Sequence, residues 1–158
     1  MGSASLVDLE RLYRTAYGRF VRVAVAITRD HETAAEAVQE AFTRAIRARR
    51  RFRREGSLEA WVWRGVVNEA RRAAARPRVQ VHGEPVESSN GTADVDSRTR
   101  ALIAALPERQ RFAVFLRYYA DLDYRTIGEI LGVETGTVSA TLHAAHRALR
   151  ESIEGVRS

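Results

Sequence analysis

Arginines crowd one short stretch of the chain, the run RAIRARRRFRR at residues 44–54. Seven of its eleven residues are arginine, and Phe52 stands among them. Two or three arginines would suit the end of a helix, where the carbonyl groups attract cations. Seven repel one another strongly unless an anion lies close by. The run therefore predicts a contact with nucleic acid or another polyanion.

The helix predicted after this run, SLEAWVWRGVVNEARRAAAR, carries a second set of side chains suited to nucleic acid. Arg64, Asn68 and Arg71 are spaced by four and three residues, so they share one helix face. An asparagine between arginines can pair with a base edge while its neighbours hold phosphates. Trp61 and Trp63 point in different directions, and one of them is expected in the core.

An acidic and amide-bearing surface is predicted on the preceding helix, within AAEAVQEAF at residues 34–42. Glu36, Gln39 and Glu40 lie on the face opposite Val38 and Phe42. Such a face is usually only solvated. Because the other end of the same helix is densely basic, a protein-binding face separate from the nucleic-acid face is the alternative.

The stretch DYRTIGEILGVETGTVSATLHAAHRALR has the spacing of a helix-turn-helix, with a generic helical hairpin as the alternative. Gly132 ends the first helix, and Val138 and Leu142 anchor the second. Between Gly132 and Ala145 there is no arginine, although such a helix should lie against DNA. Its outward residues are predicted to be Thr135, Thr137, Ser139, Thr141, His143 and His146, followed by Arg147 and Arg150.

Composition and charge exclude several classes of protein. There is no cysteine, so neither a disulfide framework nor a thiolate metal site is possible. No phosphate-binding glycine loop or nucleophile elbow is present, and His143 with His146 has no carboxylate motif beside it, so neither an enzyme nor a metal site nor a cofactor is expected. No run approaches a membrane span, and a soluble, cytoplasmic protein is expected. The net charge of +6 is concentrated in residues 1–78.

Helical periodicity dominates the chain and predicts an all-α protein of two domains. Residues 1–76 are predicted to form a bundle of three or four helices, with Asp30 and Ser57 as N-caps. Residues 77–97 read as a flexible linker rich in proline, glycine and serine. Residues 98–158 are predicted to form four helices, at about 98–106, 107–119, 124–131 and 135–153.

Two stretches together resemble the extracytoplasmic-function group of bacterial RNA polymerase sigma factors. The stretch EAVQEAFTRAIRARRRFRREGSLEAWVWRGVVNEARRAAAR resembles their region 2. LIAALPERQRFAVFLRYYADLDYRTIGEILGVETGTVSATLHAAHRALRE is similar to their region 4. The resemblance implies a factor that directs core RNA polymerase to promoter DNA, melts the −10 element and is held inactive by an anti-sigma factor.

The resemblance also implies roles for particular positions. It implies that the chain binds two parts of core polymerase, the clamp helices of the largest catalytic subunit and the flap. The positions implied to bind core polymerase are Glu36, Gln39, Glu40 and Phe42. The positions implied at the −10 element, where a flipped base enters a pocket, are Arg49, Arg50, Arg51, Phe52, Arg53, Arg54, Ser57, Trp61, Arg64, Asn68, Arg71 and Arg72. The positions implied at the −35 element are Arg125, Thr135, Thr137, Ser139, Thr141, His143, His146 and Arg147.

The last helix departs from the family pattern. Members commonly place a serine before GTV and several basic residues after it, whereas this chain has Glu134, Ser139, Thr141, Ala144 and His146 there. Glu134 is a poor N-cap, so Thr135 is expected to start the helix. Weak −35 recognition is predicted, because each lost phosphate contact removes roughly one unit from the salt slope of binding. A stand-alone helix-turn-helix regulator and a small nuclease are the alternative functions.

Overall fold

The fold is known from a computed structural model, which describes residues 3–53, 56–77 and 93–157. Every regular element in these residues is helical, which confirms the all-α prediction. The helices are α1 (Leu6–Thr28), α2 (His31–Ala48), α3 (Leu58–Ala75), α4 (Ala93–Ala104), α5 (Glu108–Tyr118), α6 (Tyr124–Leu131) and α7 (Thr135–Arg157), with a 3₁₀ turn at Arg49–Arg51 between α2 and α3.

The first three helices form a bundle around an aromatic centre. Trp63 of α3 is fully buried, and its ring lies 4.3 Å from that of Phe20 on α1. Phe42 of α2 packs edge-on against Phe20 at 5.4 Å and against Tyr13 at 4.9 Å. Such tilted and edge-on pairs add stability beyond the apolar area they bury. The aromatic centre therefore holds the first three helices together as one bundle.

The predicted helix boundaries follow local capping chemistry. The Asp30 side chain accepts a hydrogen bond from the Thr33 amide and begins α2, and Ser57 accepts one from the Ala60 amide and begins α3. Both predicted N-caps are confirmed. Gly132 ends α6 in the left-handed region at φ 71°, as a C-terminal glycine should.

The helix-turn-helix consists of α6 and α7. Asp123 caps α6 through the Thr126 amide, and hydrogen bonds from Thr126 lower the pKa of Asp123. The second helix begins at Thr135, as predicted, and the Glu134 carbonyl accepts the Val138 amide. Ile127, Val138, Leu142 and Ala145 are fully or almost fully buried between the helices. The predicted anchor positions of the motif are thus confirmed.

Gly128 is required where the turn folds back on α6. A Cβ atom there would lie 2.6 Å from the Val133 carbonyl oxygen. Because that oxygen belongs to the backbone, the overlap cannot be relieved by the rotation of a side chain. Gly128→Ala should therefore lower the free energy of unfolding by about 1–3 kcal/mol in urea titration. Gly136→Ala is the control, since a Cβ there meets no neighbouring atom. It should instead raise stability by about 0.5–1 kcal/mol, and an equal loss in both variants would contradict the steric explanation.

The two halves of the chain pack against each other. Helix α3 contacts α6, and α1 contacts α5, so the apolar core continues from the first bundle into the second. Residues 78–92 of the predicted linker 77–97 lie outside the described residues. Helix α4 begins at Ala93, earlier than predicted. The acidic sequence ADVD suits a helix N-terminus, which explains the early start.

Among the described residues, no helix combines the length and apolar character needed to cross a bilayer.

Candidate nucleic-acid interface

The basic run begins in the last turns of α2 and continues through the 3₁₀ turn at Arg49–Arg51. We call residues 49–53 the basic turn. Arg50, Arg51 and Arg53 are exposed to solvent. Arg49 is tied down, because its guanidinium donates to the Ile46 carbonyl at 2.7 Å and its own carbonyl accepts the Ala4 amide at 3.1 Å. Arg54 lies outside the described residues. The turn thus presents three free-standing cations on a backbone that the N-terminal segment holds in place.

The two aromatic residues implied at the −10 element, Phe52 and Trp61, are largely covered by other parts of the protein. Phe52 is buried, and its ring lies 5.3 Å from that of Trp61, which is half-buried on α3. The pair fastens the basic turn to α3. Trp63, not Trp61, is the core tryptophan. In this conformation the Phe52 ring is covered, so it offers no exposed face for a base to stack on.

The face of α3 next to this turn is polar and exposed, and we call it the α3 stripe. Arg64, Asn68, Arg71 and Arg72 all reach solvent on it. Ser57 stands at its beginning, where it caps the helix with its side chain. Because the Phe52–Trp61 contact joins the basic turn to α3, we take the turn and the α3 stripe together as the candidate surface for a polyanion.

A carboxylate that the sequence did not single out holds Arg72 of the α3 stripe and Arg44 of α2. Glu69 is 6% exposed and accepts Arg72 at 2.9 Å and Arg44 at 3.2 Å. Arg44 also pairs with Glu40 on α2 at 2.9 Å. This hydrogen bond to Glu40 and the charge of Glu69 raise the pKa of Arg44. The signal in the sequence was the spacing of Glu69 and Arg72 by three residues, which permits a pair on one helix.

The predicted protein-binding face of α2 points away from the core of the bundle. Glu36, Gln39 and Glu40 are exposed on α2, in agreement with the predicted pattern. Phe42 is 5% exposed and packs into the aromatic centre. It therefore supports the face from beneath, and of the four predicted residues only the three polar ones are exposed to solvent.

The outward face of α7 is weakly basic. Thr135, Thr137, Ser139, His143 and Arg147 are exposed, and Thr141 is half-buried with its hydroxyl bonded to the Thr137 carbonyl at 2.7 Å. His146 is exposed but shares a 2.7 Å hydrogen bond with the Tyr118 hydroxyl. Arg125 on α6 lies 3.7 Å from Glu129. Of these eight side chains, those of Arg125, Thr141 and His146 make contacts within the same half.

Contacts between the halves occupy part of the α3 stripe. The Ser57 amide donates to the Glu129 carboxylate at 3.2 Å, and Arg64 donates to the Glu129 carbonyl. Arg71 pairs with Glu108 at 2.9 Å. Glu129 and Glu108 were not singled out from the sequence, because partners so far apart in the chain leave no local spacing to read.

Two family models match the chain in consecutive segments. The model described as Sigma-70 region 2 matches residues 12–78, and the model described as Sigma-70, region 4 matches residues 97–149. The first segment contains the α3 stripe and the acidic face, and the second contains the helix-turn-helix. The two matches together span most of the chain.

Curated relatives and solved structures point the same way. The RNA polymerase sigma-H factor of Pseudomonas aeruginosa is 28% identical over 82% of this chain and 78% of that protein. The ECF RNA polymerase sigma-E factor of Escherichia coli is 26% identical over 75% of this chain and 73% of that protein. The sigma factor RpoE of Bartonella quintana, solved in complex with the anti-sigma factor NepR, has a TM-score of 0.67 at 18% identity, covering 94% of this chain and 98% of that one.

Proposed function

This chain belongs to the extracytoplasmic-function group of the sigma-70 family, and we propose from that premise how its surfaces divide the work of a sigma factor. It directs RNA polymerase to promoters. The synthesis of RNA belongs to the polymerase, and this chain supplies binding and specificity. We infer that it acts in the cytoplasm, where the polymerase and the promoter meet.

One observation carries the division of work: exposed acidic and basic side chains are concentrated on different elements of the same three-helix bundle. The acids and amide lie on α2 and the arginines lie on the basic turn and α3, and an ion-pair network of Glu40, Arg44, Glu69 and Arg72 joins the two groups. A surface that binds protein and a surface that binds DNA can therefore be engaged together. Like-charge repulsion keeps the acidic face off phosphates and steers the strand to the arginines.

The promoter strand is proposed to bind the basic turn and the α3 stripe. Arg50, Arg51 and Arg53 would hold phosphates, while Asn68 between Arg64 and Arg71 would face a base edge. The helix-turn-helix would add contacts to the −35 element through Arg147 and the hydroxyls of Thr137 and Ser139. With few cations on α7, this second contact supplies register more than affinity.

Core polymerase is proposed to bind the exposed side chains Glu36, Gln39 and Glu40 through its clamp helices, with its flap near the second half of the chain. An anti-sigma factor is proposed as a further partner. Its support is the family membership and the fold shared with a sigma factor solved beside an anti-sigma factor.

Run-off transcription tests the proposed function. The full chain is added to core RNA polymerase from its own host, and fragments of the host genome serve as templates. We expect promoter-dependent transcripts and a stable complex of the chain with the core enzyme. Absence of both would refute the function. Specific duplex binding by the full chain without any association with core polymerase would favour a stand-alone regulator instead.

Glu69 is predicted to position Arg72 of the α3 stripe together with Arg44 of α2. Glu69→Gln keeps the shape but removes the charge that Arg44 and Arg72 share, so the free energy of unfolding should fall by about 1.5–3 kcal/mol. Promoter binding by the holoenzyme should weaken more than core binding does. The matched control is Glu10→Gln, whose carboxylate pairs with Arg14 at 2.9 Å but is 60% exposed. That change should cost less than about 0.5 kcal/mol, and equal losses would contradict the positioning role.

A further inference from the structure

We propose that α1 carries a second strand-binding surface, the α1 stripe, which consists of the exposed arginines Arg11, Arg14, Arg22 and Arg29 and continues the contact that the basic turn makes with DNA. This inference deepens the proposed function and rests on it for the identity of the ligand, a single strand of promoter DNA. None of the positions implied from the sequence to bind DNA lies on α1, so the stripe adds a surface to the promoter contact.

Positive charge on α1 is not balanced within the helix. Residues 11–29 contain five arginines and no aspartate or glutamate. Arg19 faces the second half of the chain, where it donates to the Ala120 carbonyl at 3.2 Å. The other four are spaced by three, eight and seven residues, which places them along one helix face, and all four are exposed. From its first to its last arginine the stripe is about 27 Å long.

Little of the charge on the stripe is neutralised within the protein. The Arg14 guanidinium pairs with Glu10 at 2.9 Å, but these side chains are 75% and 60% exposed, and such a pair is weak. The Arg22 Nε atom donates to the Gly18 carbonyl at 3.3 Å, which holds the side chain along the helix without neutralising it. Among the described residues, the three arginines other than Arg14 form no ion pair with a carboxylate. A row of such cations attracts a polyanion.

Two residues on this face contradict the local preference of their positions. Arg29 follows α1 with a φ of 61°, in the left-handed region where glycine is the usual residue. Gly18 lies in the middle of the helix, where glycine is unfavourable and where a Cβ atom would meet nothing within 4 Å. Packing explains neither choice. An arginine held in a strained conformation and a bare stretch of helix between arginines both fit a strand that contacts the guanidinium and approaches the backbone closely.

Continuity with the basic turn favours a nucleic-acid strand as the ligand. The Ala4 amide donates to the Arg49 carbonyl at 3.1 Å, so α1 begins beside the basic turn. Val7, in the first turn of α1, lies four residues before Arg11 on the same face and is 62% exposed. Bases of a single strand cover apolar surface while its phosphates bind cations. A strand that leaves the basic turn therefore meets Val7 first and the arginines of the stripe next.

Strand length separates the α1 stripe from the basic turn in a binding experiment. The probes are fluorescent, mixed-sequence single-stranded DNAs of about 8 and about 24 nucleotides, added to the free full-length chain across a salt series. With the longer probe, Arg11→Gln/Arg22→Gln/Arg29→Gln should lose about two units of salt slope and bind roughly tenfold more weakly near physiological salt, because three phosphate contacts are removed. With the shorter probe, which the basic turn can hold alone, the loss of slope should stay below about one unit.

The matched control is Arg98→Gln/Arg100→Gln/Arg109→Gln, which removes three exposed arginines from the second half of the chain. The change in net charge is identical in the two variants. The control should keep its salt slope within about 0.5 of that of the unsubstituted chain for both probes. An equal loss in the control and the α1 variant would overturn the proposal, because net charge alone would then explain the effect.

Arg29→Gly separates strand binding from a structural role. Glycine relieves the left-handed strain at this position, so the midpoint of thermal unfolding should rise. The longer probe should nevertheless bind roughly twofold more weakly, because one phosphate contact is lost. A purely structural role predicts no weakening in a variant that is more stable. Binding equal to that of the unsubstituted chain would therefore count against the stripe as a strand contact.

Association with core polymerase separates this surface from the proposed function. Weaker binding of the longer probe by the α1 variant supports the stripe even if the unsubstituted chain fails to associate with core polymerase, a failure that would count against the proposed function alone. The α1 variant should associate with core polymerase as tightly as the unsubstituted chain does. Unchanged binding of both probes together with weakened core association would overturn the proposal and assign the stripe to an acidic protein surface.

Discussion

Replacing Arg50, Arg51 and Arg53 with glutamine is expected to remove about two units from the slope of log affinity against log salt when the holoenzyme binds its promoter. Each phosphate contact to a single strand contributes roughly 0.7 to this slope, because it releases condensed counterions. The three side chains are exposed on a turn whose backbone is held by Arg49, so their loss should leave the fold intact. Near physiological salt the variant should bind roughly ten- to a hundredfold more weakly.

The matched comparison is Arg125, Arg147 and Arg150 replaced with glutamine in the second half. These are also three exposed arginines, and the change in net charge is identical. We expect a smaller loss of slope, because α7 carries little charge and supplies register more than affinity. Filter binding or fluorescence anisotropy across a salt series measures both variants. A larger loss of slope in the second set would indicate that most phosphate contacts come from the second half of the chain, and it would contradict this prediction.

Reversing the charge of Glu36 is expected to weaken binding to core polymerase by roughly a hundredfold. Like charges placed opposite each other at an interface cost several kcal/mol, and each 1.4 kcal/mol is a factor of ten in affinity. Glu36 is exposed on α2, so Glu36→Arg should leave stability almost unchanged. Competition against labelled sigma factor for the core enzyme measures the effect.

The control for this variant is Glu151→Arg, an equal change of charge at an exposed position on α7. It should bind core polymerase within about twofold of the unsubstituted chain. Circular dichroism and thermal unfolding should be the same for both variants. Core binding that is insensitive to Glu36→Arg would remove the acidic face of α2 from the proposed polymerase interface.

Local features of the fold were predicted well because their causes are local. The buried positions of α1 and α3 follow the helical period, and Asp30, Ser57 and Gly132 end or begin helices through groups within three or four residues. The helix boundary at Ala93 was missed, because the composition of the surrounding stretch favoured a linker over a short acidic helix start.

The candidate site was predicted only in part. Exposure of Arg64, Asn68 and Arg71 on one face follows from their spacing, and the structure confirms that exposure. Their DNA-binding role remains a prediction. Phe52 lies in the same run, yet the structure covers its ring against Trp61. Whether an aromatic side chain near a surface faces solvent depends on which helix lies beside it, and the spacing of arginines holds no information on that.

The sequence by itself determined the helices, the concentration of positive charge in residues 1–78 and the order of the two regions, because periodicity, capping and composition act over a few residues. Tertiary structure alone decided that Glu69 of α3 also pairs with Arg44 of α2, and that Glu129 reaches Ser57 across the two halves. Glu129 and Ser57 are 72 residues apart in the chain. Their meeting depends on how α6 packs against α3, which is settled by the shape and burial of both surfaces together.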